Sequence, residues 1–321
     1  MASTTVQIQS GKTNSLRPLN IFRDLPQVAD LIELCFSATM DEDGQSYLQQ
    51  MRRAGGDTSF LQWANSASSV PLSGIVWEEN GKIVGNVSLV AHNYKGRKIT
   101  LIANVATHPD YRRRGIGRAL TERAMLQAQQ RGVKELWLQV RDDNPTAIKI
   151  YKDLGFVERA RRTTYQTYPN SFRTPATNDI TVTTMKSYFW PLQHDWLHRA
   201  HPDELSWYWH WDWNRLGPGL KMWLRRFFVE FDVRQWAAIR NGKLLATVSW
   251  LGATRPTELL WVATPPNGDA AALKSVLEAA CCELANQRRL TVEYPAGEMA
   301  DAIQSVGFKP QRTLIWMCAT S

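Results

Sequence analysis

Long apolar runs are missing from this chain of 321 residues. None approaches the ~18 residues that a membrane-spanning helix needs, and candidates such as Leu31-Ile32-Glu33-Leu34-Cys35-Phe36 are short and amphipathic. Met1–Asn14 is rich in Ser, Thr and Gln and lacks the apolar core of a secretory signal, so the expectation is a cytoplasmic protein. Cysteine is scarce. Cys35, Cys281, Cys282 and Cys318 fit neither a zinc spacing nor a secreted disulfide framework and are expected as buried, reduced thiols. His194, His198, His201 and His210 crowd one region, but no carboxylate or cysteine stands at ligand spacing beside them, so no metal is expected. Acidic residues are in deficit. Lys plus Arg less Asp plus Glu is 38 − 30 = +8, which suits a polyanion without saying which one.

What is present is periodicity. Arg17–Ile21 reads as a strand, followed by a helix capped by Asp24, with Pro26 in its first turn and Val28, Leu31, Ile32 and Leu34 on one face. A polar helix over Glu42–Ala54 and a loop over Gly55–Ser73 come next. Gly74–Glu78 and Lys82–His92 flank Asn80-Gly81, the turn signal of a β-hairpin. Lys98–Thr107 reads as a strand and Arg114–Arg131 as a helix ended by Gly132. Leu136, Leu138 and Val140 alternate in a further strand. A short helix follows with Asn144 at its cap, Pro145 first and Gly155 past its end, and Phe156–Thr167 reads as a last strand.

The second half repeats these landmarks in the same order. Arg240-Asn241-Gly242-Lys243-Leu244 matches Glu79-Asn80-Gly81-Lys82-Ile83, Val262-Ala263-Thr264 matches Val105-Ala106-Thr107, and Val306-Gly307-Phe308 matches Leu154-Gly155-Phe156. The expectation is an α/β protein made by internal duplication. It has a disordered N-terminus (1–15), a first domain (16–167), a linker (168–182) and a second domain (183–321). Each domain is a mixed, largely antiparallel sheet flanked by helices.

Residues 103–120 carry the most chemistry. They read as a strand, a turn and the start of a helix, with Gly115 and Gly117 where a ligand can approach the backbone. The first amides of such a helix lack intrahelical partners and, with the helix dipole, suit a pyrophosphate. Arg112, Arg113, Arg114 and Arg118 add charge. Taken alone, the pattern is equally a solvated basic helix start beside a glycine turn.

The stretch resembles the acyl-CoA motif of the GNAT superfamily of N-acetyltransferases, Gln/Arg-x-x-Gly-x-Gly/Ala, filled here by Arg112-x-x-Gly115-x-Gly117. A second motif of that family stands at the matching distance, Asn144-x-x-Ala147-x-x-x-Tyr151-x-x-x-Gly155-Phe156. The resemblance implies acetyl-CoA as cosubstrate and a primary amine as acceptor. Backbone from Arg112 through Arg113, Arg114, Gly115, Ile116 and Gly117 to Arg118 would hold the pyrophosphate. Val105, Ala106 and Thr107 would pair with the pantetheine as a neighbouring strand, and Asn144, near Ala147, would contact it. Tyr151 would protonate the departing thiolate. Many relatives carry a Glu on the strand before the cradle; Ala103 stands there, with Asn104 beside it. Glu78, Glu79 and His92 are candidates for the missing base, but a solvated surface role is the leading reading of each, and the base is left unassigned.

The second half lacks this chemistry. Pro265-Pro266-Asn267-Gly268-Asp269 replaces the Arg cluster and Gly-x-Gly, Ala296 stands for Asn144 and Ile303 for Tyr151, so a degenerate domain is expected. Eleven of the fourteen tryptophans lie from Trp190 onward, in a run from Trp207 to Trp213 and nearby. They suit core or interdomain packing, an acceptor-pocket wall, or a membrane or partner patch. The function these observations favour is acetyl transfer to an amine, whether small molecule, amino acid or protein N-terminus. The alternatives are a non-catalytic CoA-binding scaffold and, lacking any recognition module, nucleic-acid binding. A homo-oligomer is compatible with either of the first two.

Overall fold

The computed structural model describes residues 14–37, 40, 42–54, 73–168, 179–209, 211–218, 232–252, 257–284 and 289–320. Most of the N-terminal segment, the 55–73 loop and the 168–182 linker, with His210 and Trp223, lies outside the described residues. The chain divides into two compact units. The first comprises Met1–Gln139, Pro145–Val157 and Met317–Ser321, and the second Val140–Asn144 and Glu158–Trp316.

In the first unit β1 (Asn14–Pro18) pairs antiparallel with β2 (Ser73–Glu79), which pairs with β3 (Lys82–Tyr94) across a turn where Asn80 and Gly81 both have positive φ. A second such turn at Lys95-Gly96 leads to β4 (Arg97–Thr107), and β5 (Glu135–Arg141) runs parallel to β4. Helices α1 (Ile21–Phe36) and α2 (Glu42–Ala54) cover one face; Leu25, Val28, Ile32, Leu48 and Met51 form its core with Val76, Ile83 and Ala106. On the other face α3 (Ile116–Gln130) lies so close to Gly85 that a Cβ there would come within 2.7 Å of Ile116 and 2.9 Å of Leu120. The short α4 (Pro145–Asp153) leads, past Gly155 at φ 88°, into β6 (Val157–Thr167).

In the second unit β6 pairs antiparallel with β11 (Arg289–Pro295), β11 parallel with β10 (Thr257–Ala263), and β10 antiparallel with β9 (Lys243–Leu251). β8 (Val233–Arg240) and β7 (Thr181–Thr184) complete that side, the β8–β9 turn being Asn241-Gly242. On the other side of β6 runs the part of β12 (Lys309–Thr320) that belongs to this unit, with Thr163 Oγ1 2.9 Å from Thr313 Oγ1. The helices are α5 (Trp190–Ala200), the single turn α6 (Ser206–Trp209), α7 (Ala270–Glu283) and α8 (Ala300–Ser305). Both units are thus mixed, largely antiparallel sheets with helices against them. Residues 158–167, expected to end the first domain, are counted with the second unit, and 317–321 with the first.

Local details depart from the sequence reading. Asn20, not Asp24, caps α1, its side chain accepting from the Phe22 and Arg23 amides, so Pro26 falls beyond the first turn. Asp24 is fully buried instead. It takes both terminal nitrogens of Arg17 at 2.5 and 3.0 Å and the Asn20 amide at 2.8 Å, while Arg17 also reaches Glu78. Cys282 is exposed and Cys35 half-buried, whereas Cys281 and Cys318 are buried; all four are free thiols. Trp196, Trp207, Trp211 and Trp213 are buried, which assigns these four to packing. Asp203 Oδ1 lies 2.9 Å from His198 Nδ1, so a carboxylate does stand beside the histidines. Still, the described residues hold no group of three or more metal-ligating side chains. No described helix is long and apolar enough to cross a membrane.

Burial alone would raise the Asp24 carboxyl; the bonds from Arg17, the Asn20 amide and Arg23 outweigh it and hold it below the ordinary carboxylate value. A depressed carboxyl contributes stability above its unfolded value near ~4 and loses it as pH falls through its folded value. Asp24→Ala should cost the first unit about 3 kcal/mol at pH 7, the lower end for breaking a buried pair because Arg17 keeps Glu78. The loss should shrink at pH 3. Hydrogen exchange of α1 amides at the two pH values checks both.

Candidate functional site

The first unit's candidate site is built where two parallel strands part. β4 and β5 pair from Ile99↔Glu135 to Ile102↔Leu138. On the other side of β4 the register with β3 shifts between Ser88↔Ala103 and Asn86↔Ala106, so Asn104 and Val105 together oppose Val87 alone. This is a β-bulge, and Asn104 takes φ 51° to make it. The bulge bends β4, and Val105–Thr107 run on beyond the end of the β4–β5 ladder. There the β4 edge toward β5 has backbone groups to offer an extended ligand.

Past Thr107 the chain turns through a 3₁₀ segment, Pro109–Tyr111, whose His108 side chain accepts the Asp110 amide at 3.3 Å. Arg113 (φ 62°) and Gly115 (φ 78°) adopt left-handed backbone, and α3 begins after Gly115 rather than at Arg114 as expected. No side chain caps α3, and its first ladder bond joins the Ala119 amide to the Gly115 carbonyl. The amides of Ile116, Gly117 and Arg118 precede that ladder at the positive end of the helix dipole. Gly115 answers a backbone need. Gly117 does not: its φ is not positive, and a Cβ there would meet only Thr107 Oγ1, at 3.6 Å. The open space before Gly117 is what a pyrophosphate against these amides requires.

Arg112, Arg113, Arg114 and Arg118 are exposed around this turn. Arg112 Nε donates to the Thr107 carbonyl at 3.3 Å, and Arg114 stacks over Tyr111 at 4.8 Å. Arg118 pairs with Glu122 at 2.8 Å and lies 4.0 Å from Asp153, which ties the start of α3 to the end of α4. Ile116 and Ala106 are buried, while Val105 and Thr107 are half-buried. Cys35 Sγ lies 3.4 Å from the Thr107 carbonyl oxygen, and burial pushes its thiol up. Cys35 is a neighbour of the site that sequence reasoning missed, because the contact spans 72 positions.

Tyr151 sits on α4, 7% exposed, edge-on to Phe156 with ring centres 6.0 Å apart. Burial pushes its phenol up to about 12, so it keeps its proton throughout the neutral range. Ala147, half-buried, is one turn earlier on α4. Asn144, exposed and counted with the second unit, directly precedes α4. Among the candidate bases, Glu78 is engaged by Arg17 and Arg23, and Glu79 lies 3.9 Å from Arg114. His92 pairs with Ile99, far along β3 from the bulge, and lines a pocket of about 320 Å³ with Lys98 and Arg131. None of the three is beside Ala103. Among the described residues, the side chains bonded at the bulge are neutral: Asn104 Nδ2 donates to Tyr47 Oη at 2.8 Å, and Asn86 Nδ2 to the Asn104 carbonyl at 2.9 Å. Burial, against the Asn104 bond, pushes Tyr47 up to about 12 as well.

Residues 27–156 match the model of the acetyltransferase (GNAT) family. The chain is 47% identical over 68 residues to the [ribosomal protein bS18]-alanine N-acetyltransferase of Escherichia coli, covering 21% of this chain and 45% of that one. An uncharacterized N-acetyltransferase of Methanocaldococcus jannaschii is 33% identical over 153 residues, 46% of this chain and 62% of its own. This chain therefore spans about half the length of these relatives. In fold, it resembles a GCN5-related N-acetyltransferase from Sphaerobacter thermophilus, with TM-score 0.53 and 14% identity over 96% of this chain and 95% of that one.

The cradle is testable without any acyl chemistry. Pyrophosphate should bind the intact chain with an affinity that falls as salt rises. Gly117→Asp should weaken it about tenfold or more, by filling the open space and setting a carboxylate at the helix N-terminus. Calorimetry measures the affinities, and unchanged circular dichroism excludes unfolding.

Proposed function

We propose that the chain is an acetyl-CoA-dependent N-acetyltransferase whose chemistry lies in residues 16–167, with 183–321 as a degenerate partner domain. The observation that carries the reading is the continuity of fork, turn and uncapped helix from Val105 to Arg118. In it, the amides of Ile116–Arg118, with the surrounding arginines, hold the pyrophosphate. The Val105–Thr107 edge pairs with the pantetheine, and Asn144 contacts it from the start of α4. A strand amide fixed by the bulge donates to the thioester carbonyl as the amine attacks it, stabilising the oxyanion. Tyr151 then gives its phenolic proton to the departing thiolate, and the proton the amine sheds leaves through water and restores the phenol; because the amine attacks directly, no covalent enzyme intermediate is needed.

The acceptor is a primary amine. Among the described residues the side chains bonded at the bulge beside Ala103 are neutral, which favours an amine that loses its proton readily. An α-amine has a pKa near ~8 and a lysine amine near ~10.4, so the free base of the former is a few hundred times more abundant at pH 7. The E. coli relative, named as an alanine N-acetyltransferase, points the same way.

Tyr151→Phe should lower kcat roughly 100-fold while acetyl-CoA affinity measured by calorimetry stays within about threefold. With Tyr151 held near 12, wild-type kcat should show no fall from phenol ionisation below about pH 10. Unchanged kcat in Tyr151→Phe removes the residue from the mechanism. Absence of acetyl-CoA binding by the wild-type chain overturns the function.

A further inference from the structure

The second unit repeats the strand fork of the first. Counted from the matching Asn-Gly turns, Thr247↔Ala263 on β9–β10 stands where Asn86↔Ala106 stands on β3–β4. The parallel β10–β11 ladder ends at Leu260↔Val292, as β4–β5 ends at Ile102↔Leu138. β10 has no bulge, its register with β9 running unshifted from Leu260↔Trp250 to Ala263↔Thr247.

The edge of β10 past Leu260 is bonded by side chains of the same unit. At the end of α5, Arg199 Nη2 donates to the Thr264 carbonyl at 3.0 Å and reaches the Pro265 carbonyl at 3.4 Å. His201 Nε2 lies 3.3 Å from the Val262 carbonyl. The tautomer follows from the other ring nitrogen. Arg162 Nη2, which can only donate, is 2.8 Å from His201 Nδ1, so Nδ1 accepts and Nε2 carries the proton. Arg162 also donates to the Ala200 carbonyl at 2.6 Å and to Glu293 Oε1 at 2.6 Å, which holds the end of α5 in place. Behind these bonds the rings of Trp211, Trp213 and Trp261 sit 5.4, 5.3 and 5.1 Å from the imidazole, and His201 is 1% exposed.

The helix that follows β10 is filled in the same manner. Where α3 starts at Gly115 with no side-chain cap, α7 starts at Asp269, whose carboxylate accepts the Ala272 amide at 2.9 Å and pairs with Arg240 at 2.6 Å. A permanent anion occupies the helix N-terminus.

We infer that the second unit has replaced a bound acyl-CoA by parts of its own chain: Arg199 and His201 take the strand-edge carbonyls, and the Asp269 carboxylate takes the helix amides. This rests on reading the first unit's fork as the acetyl-CoA site. A strand that leaves its neighbour exposes carbonyls that need partners when buried. In the first unit the chain's own side chains reach the Thr107 carbonyl, from Arg112 at 3.3 Å and Cys35 at 3.4 Å, and leave the helix start without a side-chain cap; in the second the chain also bonds the Val262 carbonyl and caps the helix. Pro265 and Pro266, which remove amides beside a cradle, then cost the second unit nothing.

Two measurements on the full chain test this. Calorimetric titration with acetyl-CoA should give one site per chain; two sites overturn the inference. Nitrogen NMR should show His201 as the neutral, Nε2-protonated tautomer at pH 6, unmoved by excess acetyl-CoA. An Nδ1-protonated or charged imidazole, or a shift on adding acetyl-CoA, overturns it. If the chain binds no acetyl-CoA, the proposed function falls, and the state of His201 still decides whether the second fork is closed.

Discussion

The need of a strand edge for hydrogen-bond partners governs this molecule. Where two parallel strands part, carbonyls and amides that a sheet would satisfy are left without a ladder, and a buried orphan costs about 1–3 kcal/mol. β4 parts from β5 after Ile102 and β10 from β11 after Leu260. The two forks answer the same requirement differently. Beyond the first, the Thr107 carbonyl accepts from Arg112 at 3.3 Å and from Cys35 Sγ at 3.4 Å, and no side chain caps the helix that follows. Beyond the second, Val262, Thr264 and Pro265 are bonded by His201 and Arg199, themselves steadied by Arg162.

The rest of the first unit serves to hold its fork open. Gly85 gives up a side chain so that Ile116 and Leu120 can press α3 onto the sheet, which sets the height of the helix start. Gly115 supplies the left-handed turn that aims that start. The buried Asp24–Arg17–Glu78 linkage pins α1 to β1 and β2, and the core of α1 and α2 reaches Ala106 on β4. Charge is placed unevenly: the arginines around the start of α3 are exposed, whereas the described side chains bonded at the bulge, Asn86, Asn104 and Tyr47, are neutral and partly or wholly buried. That division suits a polyanionic handle at one end and a neutral nucleophile at the other.

Much of this was legible in the sequence because it is local. Asn80-Gly81 and Asn241-Gly242 both turned out to be positive-φ hairpin turns, since residues of that type tolerate the conformation wherever they stand. The Gly115-x-Gly117 turn and the Pro145 helix start were readable for the same reason. The family motifs located Tyr151, but its near-complete burial came only from packing. The cap of α1 was misplaced because Asn20 and Asp24 are both capping residues, and only the buried partner Arg17 separates their roles.

The sequence by itself determined the periodicities, the Asn-Gly turns and the left-handed turn at Gly115, each of which depends on residues within a few positions of one another. Tertiary structure alone decided the bulge at Asn104, the pairing of β6 with β11 and the bonding of Val262 by His201, contacts that span from 16 to more than 120 positions. Short-range preferences are written in residue type. A strand edge finds its partner only once the chain has closed those long loops, and nothing in a carbonyl's own sequence neighbourhood names the donor that will reach it.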